Sequence, residues 1–292
     1  MAGHAHARSG TRALALALVL VLGFSAVELG AALASGSLAL LADAGHMLSD
    51  GLALGLALFA AWLARRPATP ERSFGWRRAE ILAALANGVV LVALGLWILV
   101  EAVRRLDDPP EVAGGWVLAV GLVGLGVNLA AARLLHAAGG GLNVRAALMH
   151  VLADLASSVG VVVAAVVLLT TGWAGADPLA GLLIGLLVLA STFGILRESV
   201  AILLEGVPAG IDPRAVGSAL AASPGVVGVH DLHIWTITSG FPALSAHVLV
   251  EPKADCHAIR RGLETLLRER YDLTHTTLQV DHAPGLVTLS RT

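Results

Sequence analysis

Six apolar stretches fill the first two thirds of the chain, and short polar gaps separate them. They cover about residues 13–33, 37–64, 79–103, 114–135, 144–170 and 179–203. As helices, stretches of this length cross a hydrocarbon core of about 30 Å. Pro67, Pro70, Pro109, Pro110 and Pro178 all fall in the gaps, where a residue without a backbone N–H breaks no helical ladder. The link over residues 34–37 is short and uncharged, so the first two spans are expected to form a tight antiparallel hairpin. The first run is too long for a signal-peptide core and passes into the second without a convincing cleavage site, so it is read as a retained span.

After Val207-Pro208 the pattern becomes that of a small soluble domain. A helix is predicted from Asp212-Pro213 to about Ala222, with proline in its first turn. Residues 226–237 and 244–251 alternate as strands around the turn-like Ser239-Gly240-Phe241-Pro242. Ile259, Leu263, Leu266 and Leu267 set a helical apolar face opposite Arg260, Arg261, Glu264 and Arg268. A last strand covers residues 276–281. The fold class is therefore an α-helical membrane protein, with six transmembrane helices followed by a small ferredoxin-like α+β domain. Its parts are a tail over 1–12, a membrane domain over 13–205 and a cytoplasmic domain over 206–292.

Composition agrees, because 57% of the residues are hydrophobic and 14% charged, against about 25% charged in ordinary soluble domains. A formal net charge of -2 and no basic tract of the nucleic-acid-binding kind exclude a nucleic-acid partner. Cys256 is the single cysteine, so there is no internal disulfide and no CxxC pair. The arginines are lopsided. Ten lie on one side: Arg8 and Arg12 in the tail, five over residues 65–78, Arg133 and Arg145 around the fourth link, and Arg197. Only Arg104 and Arg105 lie on the other. Positive charge marks the cytoplasmic side, which puts both termini in the cytoplasm of a multi-pass protein of the cell's inner membrane.

One pattern occurs twice inside the apolar runs: His46-Met47-Leu48-Ser49-Asp50 and His150-Val151-Leu152-Ala153-Asp154. Residues four apart share a helix face, so each segment aims an imidazole and a carboxylate at one spot. Ionisable side chains at membrane depth are costly and are read as functional by default. With spans two and five antiparallel, each histidine faces the other helix's aspartate. The result is a four-coordinate site of two nitrogens and two oxygens, suited to zinc and other late transition ions rather than magnesium or calcium. At 1.5 Å per residue the ligands lie roughly 9 to 20 Å into the slab, the depth at which transporters hold their substrates.

Asp43 shares the His46 and Asp50 stripe, and Glu28 interrupts the first span; both are candidate second-shell or pathway carboxylates. His4 and His6 in the tail are candidates for gathering metal. In the soluble domain, strand-borne His230 and His247 with Asp281 could converge on a structural or regulatory zinc. From the residues alone, three further readings stand beside a transporter. They are a membrane metalloenzyme, a membrane-bound metal sensor, and polar clusters that only pack helices. An enzyme would want an open ligand position and a general-base Glu, and neither pentapeptide has the Glu.

Four motifs are familiar together and in order: residues 35–50 ending in His46-Met47-Leu48-Ser49-Asp50, Ser73-Phe74-Gly75-Trp76-Arg77-Arg78-Ala79-Glu80, His150-Val151-Leu152-Ala153-Asp154, and His230-Asp231-Leu232-His233-Ile234-Trp235. The chain resembles the cation diffusion facilitator family, most closely its zinc-transporting branch. That resemblance implies a homodimer with a cytoplasmic metallochaperone-like domain, which exports zinc in exchange for protons. It puts the transport site on His46, Asp50, His150 and Asp154, and a cytoplasmic metal site on His230, His247 and Asp281. Two departures stand out. The loop over residues 65–78 has no histidine for the extra metal that some members bind, and residues 137–143 form a short glycine-rich link in place of a histidine-rich loop.

Overall fold

The structure is a computed structural model that describes residues 2–138 and 142–283. Six long helices come first: α1 (Ala2–Ser35), α2 (Leu38–Ala64), α3 (Ala79–Asp107), α4 (Gly114–Ala138), α5 (Leu142–Thr171) and α6 (Ala176–Leu203). All six are long and apolar enough to cross a membrane. The helix of α1 also runs through the segment assigned to the polar tail. The side chains of His4 and His6 lie outside the described residues.

The starts of α2 and α6 are tied together. Ser37 caps α2, its Oγ accepting from Leu40 N at 3.1 Å. The buried Asp177 carboxylate accepts from Ser37 Oγ and, at 2.7 Å, from Leu38 N. To deliver that carboxylate, α6 begins three residues earlier than its apolar run. Pro178 therefore falls in the first turn, where its missing N–H would have had no helical partner.

Between the helices, Ala32, Leu40, Leu91, Ile98, Val117, Val161 and Ile184 belong to one buried apolar cluster drawn from all six. On α3, a Cβ at Gly88 or Gly95 would come within 2.6 Å of Leu196 or 2.8 Å of Leu189 on α6. Hydrogen in place of a side chain lets those two backbones close up, the usual device where lipid supplies no hydrophobic push. The outward faces stay apolar, with Val19, Leu33, Leu58, Trp116 and Phe193 all more than half exposed.

By backbone contacts the chain divides into two compact units, Met1–Leu56 with Ala86–Leu196, and Ala57–Leu85 with Arg197–Thr292. The second unit holds α7 (Pro213–Ala221), β1 (Val226–Thr238), β2 (Phe241–Val250), α8 (Cys256–Tyr271) and β3 (His275–His282). The order is the α-β-β-α-β of the sequence reading. β2 lies between β1, antiparallel to it, and β3, parallel to it through the α8 crossover. The turn is tighter than expected: Gly240 takes a left-handed φ of 70°, and Phe241 and Pro242 belong to β2. Proline is tolerated there because β3 pairing starts only at Ala243, so β2 is still an edge at Pro242.

Both domain helices begin on aspartate caps. Asp212 accepts from Arg214 N at 2.9 Å, and Asp255 from His257 N and Ala258 N at 3.0 Å. The bond from Ala258 N leads in holding the Asp255 carboxyl below its ordinary value. Val216, Leu220, Ile234, Leu244, Leu263 and Leu267 fill the core between helices and sheet.

Candidate metal transport site

The two pentapeptides meet. His46 Nε2 lies 3.6 Å from Asp50 Oδ2 on its own helix and 3.8 Å from Asp154 Oδ1 on α5. His150 Nε2 lies 3.1 Å from Asp50 Oδ2 and 3.8 Å from Asp154 Oδ2. The pairs 43 with 157, 46 with 154 and 50 with 150 step in opposite directions along the two helices, as antiparallel neighbours must. Tetrahedral zinc with ligand bonds of 2.0 to 2.2 Å sets its ligand atoms about 3.4 Å apart. The observed separations bracket that value.

Burial is graded across the four. The Asp154 side chain is 2% exposed, His46 17%, Asp50 26% and His150 50%. Asp154 Oδ1 and His46 Nδ1 are buried with no hydrogen-bond partner among the described residues. An orphaned carboxylate oxygen in an apolar interior is strongly disfavoured, so the cluster has the donor set and the unmet demand of a cation site. One ligand atom each from His46, Asp50 and Asp154 falls within a 4.8 Å span.

The two sides of the cluster differ. On the side of Leu54 and Ala147, a cavity of about 610 Å³ with apolar walls reaches Asp50, His150 and Asp154. On the side of Asp43 there is a polar plug. Asp43 is fully buried, accepting at one oxygen from Ser157 Oγ and at the other from Ser158 Oγ at 3.2 Å. Ser158 Oγ in turn accepts from Asn128 Nδ2 at 3.1 Å, and Ser157 Oγ is 3.0 Å from the Asp154 carbonyl. Glu28, 1% exposed, has an Oε2 without a partner among the described residues and faces α4 beside Gly124. The sequence reading singled out Asp43 and Glu28 but missed Ser157, Ser158 and Asn128. The signal was there, since both serines sit within one turn of Asp154 and Asn128 is a lone amide in an apolar span.

In the soluble domain His230 and His247 are register partners, with ring centroids 5.1 Å apart. The carboxylate that joins them is Asp231, whose Oδ2 lies 3.3 Å from His230 Nδ1 and 3.9 Å from His247 Nδ1. Strand alternation would point Asp231 to the opposite face from His230. A bulge between His230 and His233, with Asp231 at a φ of 49°, turns it onto the same side. Asp281 is two register steps beyond the His247–Gln279 pair, opposite Leu249, and accepts from Gln279 Nε2 at 2.8 Å.

Comparison with known proteins gives this geometry its context. Residues 14–204 match the cation efflux transmembrane domain, and residues 208–283 match the cation efflux protein cytoplasmic domain. The chain belongs to the cation efflux family. The metal cation efflux system protein CzcD of Cupriavidus metallidurans is 41% identical over 290 residues, covering 97% of this chain and 91% of that protein. The zinc transporter ZitB of Escherichia coli is 40% identical over 290 residues, covering 96% and 92%. A cadmium, cobalt and zinc/H(+)-K(+) antiporter of Bacillus subtilis is 38% identical over 286 residues, covering 96% and 92%. A solved metal-bound C-terminal domain of the CzcD transporter is 35% identical, covering 24% of this chain and 99% of that one, with a TM-score of 0.24. As a cation efflux protein the chain is an integral, multi-pass membrane transporter, and the metalloenzyme alternative gives way.

Proposed function

We propose that this protein exports zinc from the cytoplasm in exchange for protons, with His46, Asp50, His150 and Asp154 as the transport site. The observation that carries the reading is the crossed pairing of two imidazoles and two carboxylates, 3.1 to 3.8 Å apart, within helices of membrane-spanning length. The names of relatives agree, ZitB as a zinc transporter and the Bacillus protein as an antiporter of cadmium, cobalt and zinc. A broader metal range is the second reading, which the latter name favours.

Zinc accepts electron pairs from deprotonated groups, so zinc and protons compete for the same four side chains. From the cytoplasm, zinc enters through the 610 Å³ cavity and meets His150 and Asp50 first, the most exposed of the four. Asp154 and His46 complete the shell deeper in. The plug of Asp43, Ser157, Ser158 and Asn128 closes the far side in this inward-open state, and rocking of the helices about the site opens it. On that side protons displace the ion and return on the empty carrier. Asp43 fixes α2 against α5, and Glu28 lies along the proton route.

Both termini are cytoplasmic and the protein resides in the inner membrane, a reading supported by the ten-to-two arginine bias. The cytoplasmic domain pairs two protomers into a homodimer. His230 and His247 hold a regulatory or structural zinc there, completed by a carboxylate. Asp281 is one candidate, and the distances favour Asp231.

The test is zinc uptake into sealed inside-out vesicles carrying the purified protein and an internal pH dye. Zinc should enter as protons leave, and Asp154→Ala should do neither. Wild-type protein that binds zinc without moving it would overturn the transport reading.

A further inference from the structure

Away from the metal clusters, a second hollow gathers arginines at the end of α2. It has a volume of about 540 Å³, and its lining includes Arg65, Arg66, Arg77, Ser73, Phe241 and His275. We infer that this hollow binds the phosphate headgroup of an anionic phospholipid.

Charge is the first ground. The lining contains three guanidiniums and no carboxylate. Among the described residues, none of the three has a carboxylate within ion-pair distance, whereas Arg78 in the same segment is paired with Glu205 at 3.2 Å. Three exposed cations around one hollow repel each other until an anion sits between them. Guanidinium edges match phosphate oxygens two at a time, and the Ser73 hydroxyl adds a further donor.

Orientation is the second. Arg66 lies over the Trp62 ring at 4.4 Å and Arg77 over Phe241 at 4.5 Å. Held in place by cation–π contact rather than by an ion pair, these guanidiniums keep an unneutralised charge for a ligand.

Position chooses lipid over a soluble anion. The hollow begins at Ala64, the last residue of a span, and the preceding turns expose Phe59 by 58% and Trp62 by 53%. Exposed aromatics followed directly by arginines mark the depth of the headgroups, where anionic lipid is concentrated.

The test uses the full chain in detergent, with native mass spectrometry counting retained phosphatidylglycerol and phosphatidylcholine. Wild type should retain phosphatidylglycerol in preference. Each guanidinium near an anionic headgroup contributes roughly fivefold, so Arg65→Gln with Arg77→Gln should lower that preference about 25-fold. The double lysine variant, keeping the charge, should lose much less. Undiminished retention by the glutamine variant overturns the site, and so does release of the lipid by millimolar inorganic phosphate, which would mark a soluble-anion site. Should the glutamine variant not fold, wild type decides alone: equal retention of both lipids overturns the inference. None of these readouts depends on zinc transport.

Discussion

Asp154 is 2% exposed among membrane helices, whereas Asp231 is 66% exposed on a β-bulge, although each lies within 4 Å of two histidines. The side chains are alike and their surroundings are not. In the membrane cluster the Asp154 carboxylate is held where a charge is costly, and its Oδ1 lacks a hydrogen-bond partner among the described residues, so the arrangement is hard to explain without a cation. In the domain cluster water solvates each group cheaply, and an exposed ion pair contributes only about 0 to 1 kcal/mol. Burial therefore ranks the two as evidence, and it also ranks their sensitivity to substitution. Loss of transport in Asp154→Ala is the upper end of that scale.

Next comes the plug. Asp43 is as deeply buried as Asp154 but has two hydroxyl donors, so it belongs to the scaffold side of the comparison. Replacing it by asparagine removes a charged acceptor worth about 1.5 to 3 kcal/mol per bond, enough to slow zinc transport about tenfold or more while zinc binding persists. A variant that transports at the wild-type rate would show that the plug does not help to shape the cycle. A variant that no longer binds zinc would move Asp43 into the shell itself.

A smaller effect separates what holds a metal from what selects it. His46 contributes a nitrogen that oxygen-preferring ions do not want. His46→Asp keeps four ligands and exchanges that nitrogen for oxygen, so competition assays should shift several-fold toward manganese. Unchanged preference would assign selection elsewhere.

Much of this was legible before any coordinates. Six spans and the α-β-β-α-β order follow from periodicity and proline placement, because apolar runs bounded by breakers leave few alternatives. The crossed His/Asp pairs were legible because a four-residue spacing fixes a helix face. Three things were not. The early start of α6 depends on Asp177 reaching the N-terminus of α2, some 140 residues away. Asp231 escaped because alternation assigns it to the wrong face until a bulge is known. The arginine hollow needs Phe241 and His275, which only the folded domain brings beside Arg77.

The smallest expected effect on transport tests that bulge. In an Asp154→Ala background, which weakens the membrane site, equilibrium dialysis of the full chain reports mainly the domain's zinc. Loss of one ligand should weaken that binding about tenfold or more, so Asp231→Ala should show the drop and Asp281→Ala, engaged with Gln279, should not. In the native background neither change should alter transport at saturating zinc more than about twofold, since water already solvates both carboxylates. Acid should release zinc from the domain as from the membrane site, because protons compete for imidazole and carboxylate alike. A drop in Asp281→Ala with none in Asp231→Ala would restore Asp281 as the third ligand. It would also mean that the sheet closes around the metal in a way that the bulge at Asp231 does not anticipate.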